Sequence, residues 1–326
     1  MTSPLLTSPA SPRGGVRTVA VQADRDGQRL DNFLLGQLKG APRSLVYKLV
    51  RSGQVRINGR RAKAGHKLAA GDQVRVPPVP LDIAEDKSAP PPGFLARLEQ
   101  AIVFEDARLL VLDKPSGVAS HGGSGISFGA IETLRALRPG LRLELVHRLD
   151  RDTSGLLLVA KKRATLAQLQ ALLREDHGSG GIRKRYLTLL AGRMPAGAMH
   201  VDVPLQTGLR RGGERHVQVS PAGKPSLSIF RLLERRGGHS FCEVEIATGR
   251  THQIRVHACH IGHPVAGDDK YGDPTINHRL REQTGLKRVF LHAASLEFAL
   301  DNGRIPYVLH APLSQELAAV LDALRP

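Results

Sequence analysis

A dense polar run, His147, Arg148, Asp150, Arg151 and Asp152, stands directly before the apolar stretch 155–160 (GLLLVA). That stretch has the length and branching of a buried strand. Charged groups beside such a strand need partners or a cleft, because burying an unpaired charge is costly. An acid at the mouth of a buried strand is therefore a candidate reactive group, and Asp150 is the first choice. A single carboxylate can act as nucleophile or as base. Asp150 and Asp152 would also point the same way on an extended backbone, about 7 Å apart at Cα. That spacing keeps glycoside hydrolysis open as a competing chemistry. Asp152, Thr153 and Ser154 suit turn hydrogen bonding better than catalysis. His147 suits a buried orienting role better than that of a general base.

Two further segments carry residues of the right chemical type. Residues 183–192 (RKRYLTLLAG) read as a basic entry into a strand that contains Tyr186. Residues 248–257 (TGRTHQIRVH) place Arg250 just before a helix expected to begin at Thr251. His252, His257, His260 and His263, with Cys259 nearby, invite a metal reading, but their spacings fit no standard zinc signature. The glycines of 121–125 (HGGSG) form a weak phosphate-loop pattern and read as a lip over the cleft. No metal, redox group or nucleotide cofactor is expected.

These residues need a scaffold. Residues 16–24 alternate like a strand, and 27–38 put Leu30, Phe33, Leu34 and Leu38 on one helical face. In the next helix, 42–51, Leu45, Val46, Leu49 and Val50 share one arc. Arg43, Tyr47, Lys48 and Arg51 share the other. Strands follow at 54–58 and 72–76. Residues 77–93 (PPVPLDIAEDKSAPPPG) read as an extended linker. Beyond it come strands at 101–104 and 109–112, a short helix at 129–137, a helix at 164–176, and short alternating runs at 201–205, 216–220, 226–232, 241–246, 289–298 and 305–309. A helix at 314–324 closes the chain. Strands dominate without βαβ regularity, so the fold class is α+β with a mixed, mainly antiparallel sheet and a central cleft. The domains expected are a disordered tail (1–15), a small module (16–76), the linker (77–93) and a catalytic domain (94–326).

The chain of 326 residues carries 47 Lys and Arg against 30 Asp and Glu, a net charge of +17. Residues 43–75 hold nine of those cations and one acid, nearly half of the excess in a tenth of the length. Charge so clustered implies a polyanionic partner, and nucleic acid before a membrane surface. Two cysteines without metal-like spacing point to a reducing, cytoplasmic compartment. No apolar run reaches membrane-spanning length, and residues 1–15 lack the apolar core of a signal peptide.

The order helix, basic helix, GQVRING, basic loop, LAAGDQVRVP resembles an S4 RNA-binding domain. That resemblance implies that Arg43, Lys48, Arg51, Arg60, Arg61, Lys63 and Lys67 face phosphates, giving affinity without sequence choice. The three segments around Asp150, Tyr186 and Arg250, in that order, resemble the signature segments of the RluA-type pseudouridine synthases, supported by 119–125 and 267–272 (GDDKYG). The resemblance covers about residues 20–325, and within the family it lies nearest to members acting on large-subunit ribosomal RNA. It implies isomerisation of uridine to its C-glycoside without cofactor or metal. It implies an ionised catalytic Asp150 held by Arg250, an active-site Tyr186, and Arg148 entering the space left by a flipped base. The implied partner is large-subunit rRNA or an assembling ribosomal particle, met by a monomer away from any membrane. The competing class is a non-catalytic rRNA-binding assembly factor.

Overall fold

The computed structural model describes residues 15–38, 41, 43–78, 90–123, 127–175, 181–211 and 214–325. The expected tail, apart from residue 15, and the linker segment 79–89 lie outside the described residues. So do 124–126 of the glycine lip and the side chain of Arg43. The chain divides into two units, Met1–Ala89 and Pro90–Pro326.

The first unit holds strand β1 (Arg17–Ala20), helices α1 (Leu30–Gln37) and α2 (Arg43–Arg51), and strands β2 (Arg56–Ile57) and β3 (Gln73–Val76). The strands form an antiparallel sheet in the order β1-β3-β2. Leu30, Phe33, Leu34, Val46, Leu49 and Val50 pack against Val74 and Val76 in one core, as the apolar arcs of the two helices require. A buried carboxylate, Asp31, locks the helices together. It accepts from Arg29 Nη2 at 2.7 Å, from the Tyr47 hydroxyl at 3.0 Å and from the Asn32 N–H at 2.9 Å. The hydrogen bond from Arg29, against the cost of burial, holds the Asp31 carboxyl below its usual range. Lys48, Arg51, Arg60, Arg61, Lys63 and Lys67 are all exposed.

The second unit begins with α3 (Pro92–Gln100), β4 (Ile102–Glu105), β5 (Leu109–Lys114), α4 (Ala130–Leu137), β6 (Glu144–Leu145), β7 (Ser154–Ala160) and α5 (Arg163–Leu172). Next come β8 (Arg183–Leu190), β9 (Ala198–Asp202), β10 (Leu205–Arg211), β11 (Glu214–Val219), β12 (Leu227–Arg236) and β13 (His239–Ile246). The chain ends with α6 (Gln253–His260), α7 (Pro274–Thr284), β14 (Leu291–Leu300), β15 (Ile305–His310) and α8 (Gln315–Ala323). One sheet runs β4-β5-β7-β14-β8-β13-β12-β9, with β15 added to β14 and β6 to β7, while β10 and β11 form a separate hairpin. Its pairings are antiparallel except β7 with β14. The mixed, largely antiparallel α+β class stands.

Strand β7 is buried along its whole length. Its side chains alternate between two cores, as a period of two dictates. Leu157 and Val159 pack with α3, α4 and β8, whereas Leu156 and Leu158 pack with α5, β14 and β15. Each of these leucines is fully buried, worth roughly 1.5–3 kcal/mol. At its start Gly155 has φ +107°, and a Cβ there would lie 2.3 Å from the Ala293 carbonyl oxygen. Only glycine permits β14 to approach that closely, and this seam brings the turn carrying Asp150 beside the centre of the sheet.

Helix α3 corrects the expected linker, since it starts at Pro92 inside the stretch read as extended. Proline suits the first helical turn, where its missing N–H costs nothing, and Leu98 is fully buried. Among the described residues, no helix is long and apolar enough to cross a membrane.

Candidate active site

The backbone of the 149–152 turn is pinned on both sides by the segment after β5. Ser120 Oγ donates to the Leu149 carbonyl at 2.8 Å and accepts from the Leu149 N–H at 3.0 Å. Ser116 Oγ donates to the Asp152 carbonyl at 2.8 Å. Lys114, fully buried, donates from Nζ to the carbonyls of Val118 (2.7 Å), Pro115 and Arg151 (both 3.1 Å). Burial pushes the Lys114 ammonium down to about 7 against the pull of Asp152 and Asp150, while three carbonyl acceptors match its three N–H donors. His147 Nε2 accepts from the Leu158 N–H at 3.1 Å, and burial pushes its imidazole down to about 4. It is thus a neutral orienting group that splices the turn onto β7. Asp150 therefore sits on a turn whose neighbouring backbone groups are held by Lys114, Ser116 and Ser120.

Helix α6 forms the facing wall. Gln253 accepts from the Thr248 hydroxyl (2.7 Å) and the Arg250 N–H (3.1 Å) and donates to the Leu227 carbonyl (2.9 Å). His257, one turn on, meets Ser228 Oγ at 3.0 Å and Ser226 Oγ at 3.1 Å, and burial pushes it down to about 4. This polar i, i+4 pair bolts the helix to β12.

Arg255, on α6, grips Asp268 with two hydrogen bonds of 2.7 Å, from Nε and Nη2. Its remaining nitrogen, Nη1, lies 3.7 Å from Asp150 Oδ2. Asp268 also accepts from the N–H groups of Lys270 and Tyr271, and its partnership with Arg255 holds it below the usual carboxylate range despite burial. His252 Nε2 lies 3.8 Å from Asp150 Oδ2. Neither carboxylate oxygen of Asp150 accepts a hydrogen bond from the described residues.

Tyr186, on β8 opposite Val244 of β13 and Ala293 of β14, forms a buried wall of the same cleft. Burial first, and the charge of Asp150 second, raise its phenol well above the usual range, so its proton is retained at neutral pH. The cleft is lined by Arg148, Asp150, Tyr186, Arg250, His252 and Arg255, among others. A larger polar groove adjoins it, sharing His252 and Arg255 and adding Arg151, Lys270, Lys287 and Arg288.

Asp150, Tyr186, Arg148 and Arg250 thus converge on one cleft, and Arg148 is exposed at its edge. The expected hold of Arg250 on Asp150 is corrected: no ion pair joins them, and Arg250 Nε instead donates to the Pro225 carbonyl at 3.2 Å. Arg255 takes the place beside Asp150. The helix starts at Gln253, two residues later than expected, because His252 adopts a left-handed conformation (φ +53°) at its N-cap. Sequence reasoning does not single out Asp268, Tyr271, Gln253 or Lys114. Of these, Asp268 and Tyr271 lie in the 267–272 segment noted above for its likeness to the family.

Comparison with known proteins bears on this geometry. Residues 108–260 match the family described as RNA pseudouridylate synthase, and residues 28–74 match the S4 domain. The chain is 49% identical over 313 residues to ribosomal large subunit pseudouridine synthase C of Salmonella typhi, covering 95% of this chain and 97% of that protein. It is 48% identical over 317 residues to the protein of the same name from Vibrio cholerae serotype O1, covering 96% and 98%. Among solved structures, human RNA pseudouridylate synthase domain containing 1 aligns with a TM-score of 0.55 at 28% identity, over 68% of this chain and 86% of that one. Human RNA pseudouridylate synthase domain containing 4 shares the fold, with a TM-score of 0.56 at 24% identity over 71% and 95%.

Proposed function

The chain belongs to the RluA-type RNA pseudouridine synthase family, and from that premise we propose that it isomerises specific uridines of large-subunit ribosomal RNA. The reaction breaks the bond from N1 of uracil to C1′ of ribose, turns the base and joins C5 to C1′. The proton leaves C5 and N1 is reprotonated, so atoms and electrons balance without a cofactor.

In this reading Asp150 starts the reaction as a carboxylate. It stands within ion-pair distance of a guanidinium, yet its carboxylate oxygens stay free of hydrogen bonds from the described residues. Tyr186 stacks on the base and, holding its proton, serves the transfer at the sugar or at C5. A base stacked inside a duplex cannot bring its N1 and C5 to Asp150 between the walls of the cleft, so the target nucleotide must leave its stack. Arg148, exposed at the rim, fills or grips the vacated space with its planar guanidinium. The adjoining groove, with Arg151, Lys287 and Arg288, receives the phosphates of the flanking strand. Lys48, Arg51, Arg60, Arg61, Lys63 and Lys67 of the first unit, together with Arg43, add sequence-independent grip on the same RNA.

The observation that carries the proposal is the convergence of Asp150, Tyr186, Arg148 and Arg255 on one cleft. The test is Asp150→Asn, assayed on a transcript of large-subunit rRNA. RNA binding is expected to persist while pseudouridine formation falls by at least a factor of about a thousand. Turnover retained in that variant would overturn the assignment. Mapping pseudouridines in rRNA with and without the protein identifies the uridines.

A further inference from the structure

His252 combines three features that the proposed chemistry leaves unused. First, it holds a left-handed backbone conformation, φ +53° and ψ +21°, at the N-cap of α6. Such a conformation costs free energy for any residue with a Cβ and persists where its surroundings enforce it. Second, its Nδ1 lies 2.8 Å from the Tyr271 hydroxyl oxygen, and that oxygen also accepts from the Val217 N–H at 3.2 Å. Third, its Nε2 faces Asp150 Oδ2, the same oxygen that Arg255 approaches.

The hydrogen-bond inventory favours one placement of the protons. With one lone pair of Tyr271 taken by Val217, the arrangement that leaves no group unpartnered has the Tyr271 O–H donating to Nδ1. Nδ1 is then an acceptor, and the neutral ring carries its proton on Nε2. Burial favours that neutral ring. The imidazole is therefore no base toward the cleft; it presents an N–H to the carboxylate.

We propose that His252, with its tautomer set by Tyr271, is a positioning residue that joins Arg255 in fixing Oδ2 of Asp150 and leaves Oδ1 as the oxygen that reacts. The proposal rests on the reading of Asp150 as the group that starts the reaction. The Tyr271 ring, lying over Arg255 with 5.2 Å between the guanidinium carbon and the ring centroid, ties both contacts to one aromatic support.

Two measurements on the full chain decide the matter. In ¹⁵N-histidine-labelled protein, the His252 resonances should show a neutral ring protonated at Nε2, and Tyr271→Phe should shift them toward a mixture of tautomers. A wild-type ring protonated at Nδ1 overturns the proposal. In kinetics on an rRNA transcript, Tyr271→Phe and His252→Gly should each lower kcat about tenfold or more with KM unchanged. Glycine accepts the left-handed backbone, so His252→Gly should melt no lower than wild type. His252→Gln, which keeps an N–H donor at comparable reach, should recover part of the rate. Wild-type kcat in folded His252→Gly overturns the proposal. Should that variant fail to fold, Tyr271→Phe and the wild-type spectrum decide alone. Asp150→Asn tests the underlying reading separately, since the tautomer is observed without turnover.

Discussion

The Asp150 carboxylate meets Arg255 and His252 at 3.7 and 3.8 Å, and the residue that does most to arrange this is Arg255. Its guanidinium is a fixed fork: two nitrogens are spent on buried Asp268 and the third is left toward Asp150. A lysine offers a point charge and cannot serve both carboxylates. Arg255→Lys is therefore expected to lower kcat by about a hundredfold or more, and Arg255→Ala to cost roughly 3–5 kcal/mol of stability by stranding Asp268. Arg250→Ala, by contrast, should leave kcat within about tenfold of wild type, because that side chain holds the Pro225 carbonyl. Steady-state kinetics and urea titration of the three variants check this; equal kcat losses at 250 and 255 would refute it. That Arg255, and not the expected Arg250, stands beside Asp150 has a definite cause. They stand five positions apart, and which one turns toward Asp150 depends on the left-handed kink at His252, which composition and periodicity do not announce. Asp150, on the turn before β7, and Tyr186, on β8, could be picked out because each adjoins or lies in a run with a strand-like pattern.

At the scale of elements, the cleft depends on how closely β7 and β14 run. Gly155→Ala would place a methyl group 2.3 Å from the Ala293 oxygen in a backbone conformation that alanine rarely adopts. A loss of about 3 kcal/mol or more is expected, read as a lowered urea midpoint. A loss below about 1 kcal/mol would show that the two strands separate freely. Most strands were legible from alternation, with ends shifted by a few residues. Two helices were not. Helix α3 hid behind prolines that look like a linker. Helix α7 is polar, without a clear apolar stripe, yet Asp273 caps its N-terminus, Pro274 opens it and Gly285 closes it at φ +74°. Those end signals were present in the sequence and outweigh the weak periodicity.

For the whole molecule, charge and acid stability give two tests. Replacing Lys48, Arg51, Arg60, Arg61, Lys63 and Lys67 with glutamine should weaken rRNA binding and flatten its salt dependence. The log–log slope should shrink by about 0.7–0.9 for each phosphate no longer neutralised. The rate at saturating RNA should be kept. An unaltered slope would show that this face is idle. The second test concerns His147 and His257, both pushed from about 6.5 to about 4 in the folded chain by burial. Between those values the unfolded chain binds more protons, so stability rises with pH across the window and is lost on acidification. Melting temperatures measured from pH 7 to pH 4 should fall, and His147→Gln should make that fall shallower. No change in the slope would mean that His147 ionises without cost.

The seam between Ser154 and His292 joins residues 138 positions apart. On a translating ribosome, the basic front unit is complete long before β14 emerges to give Tyr186's strand its second neighbour beside β13. A nascent copy thus carries a finished gripping surface while its reaction chamber still lacks a wall, so attachment ripens before chemistry does.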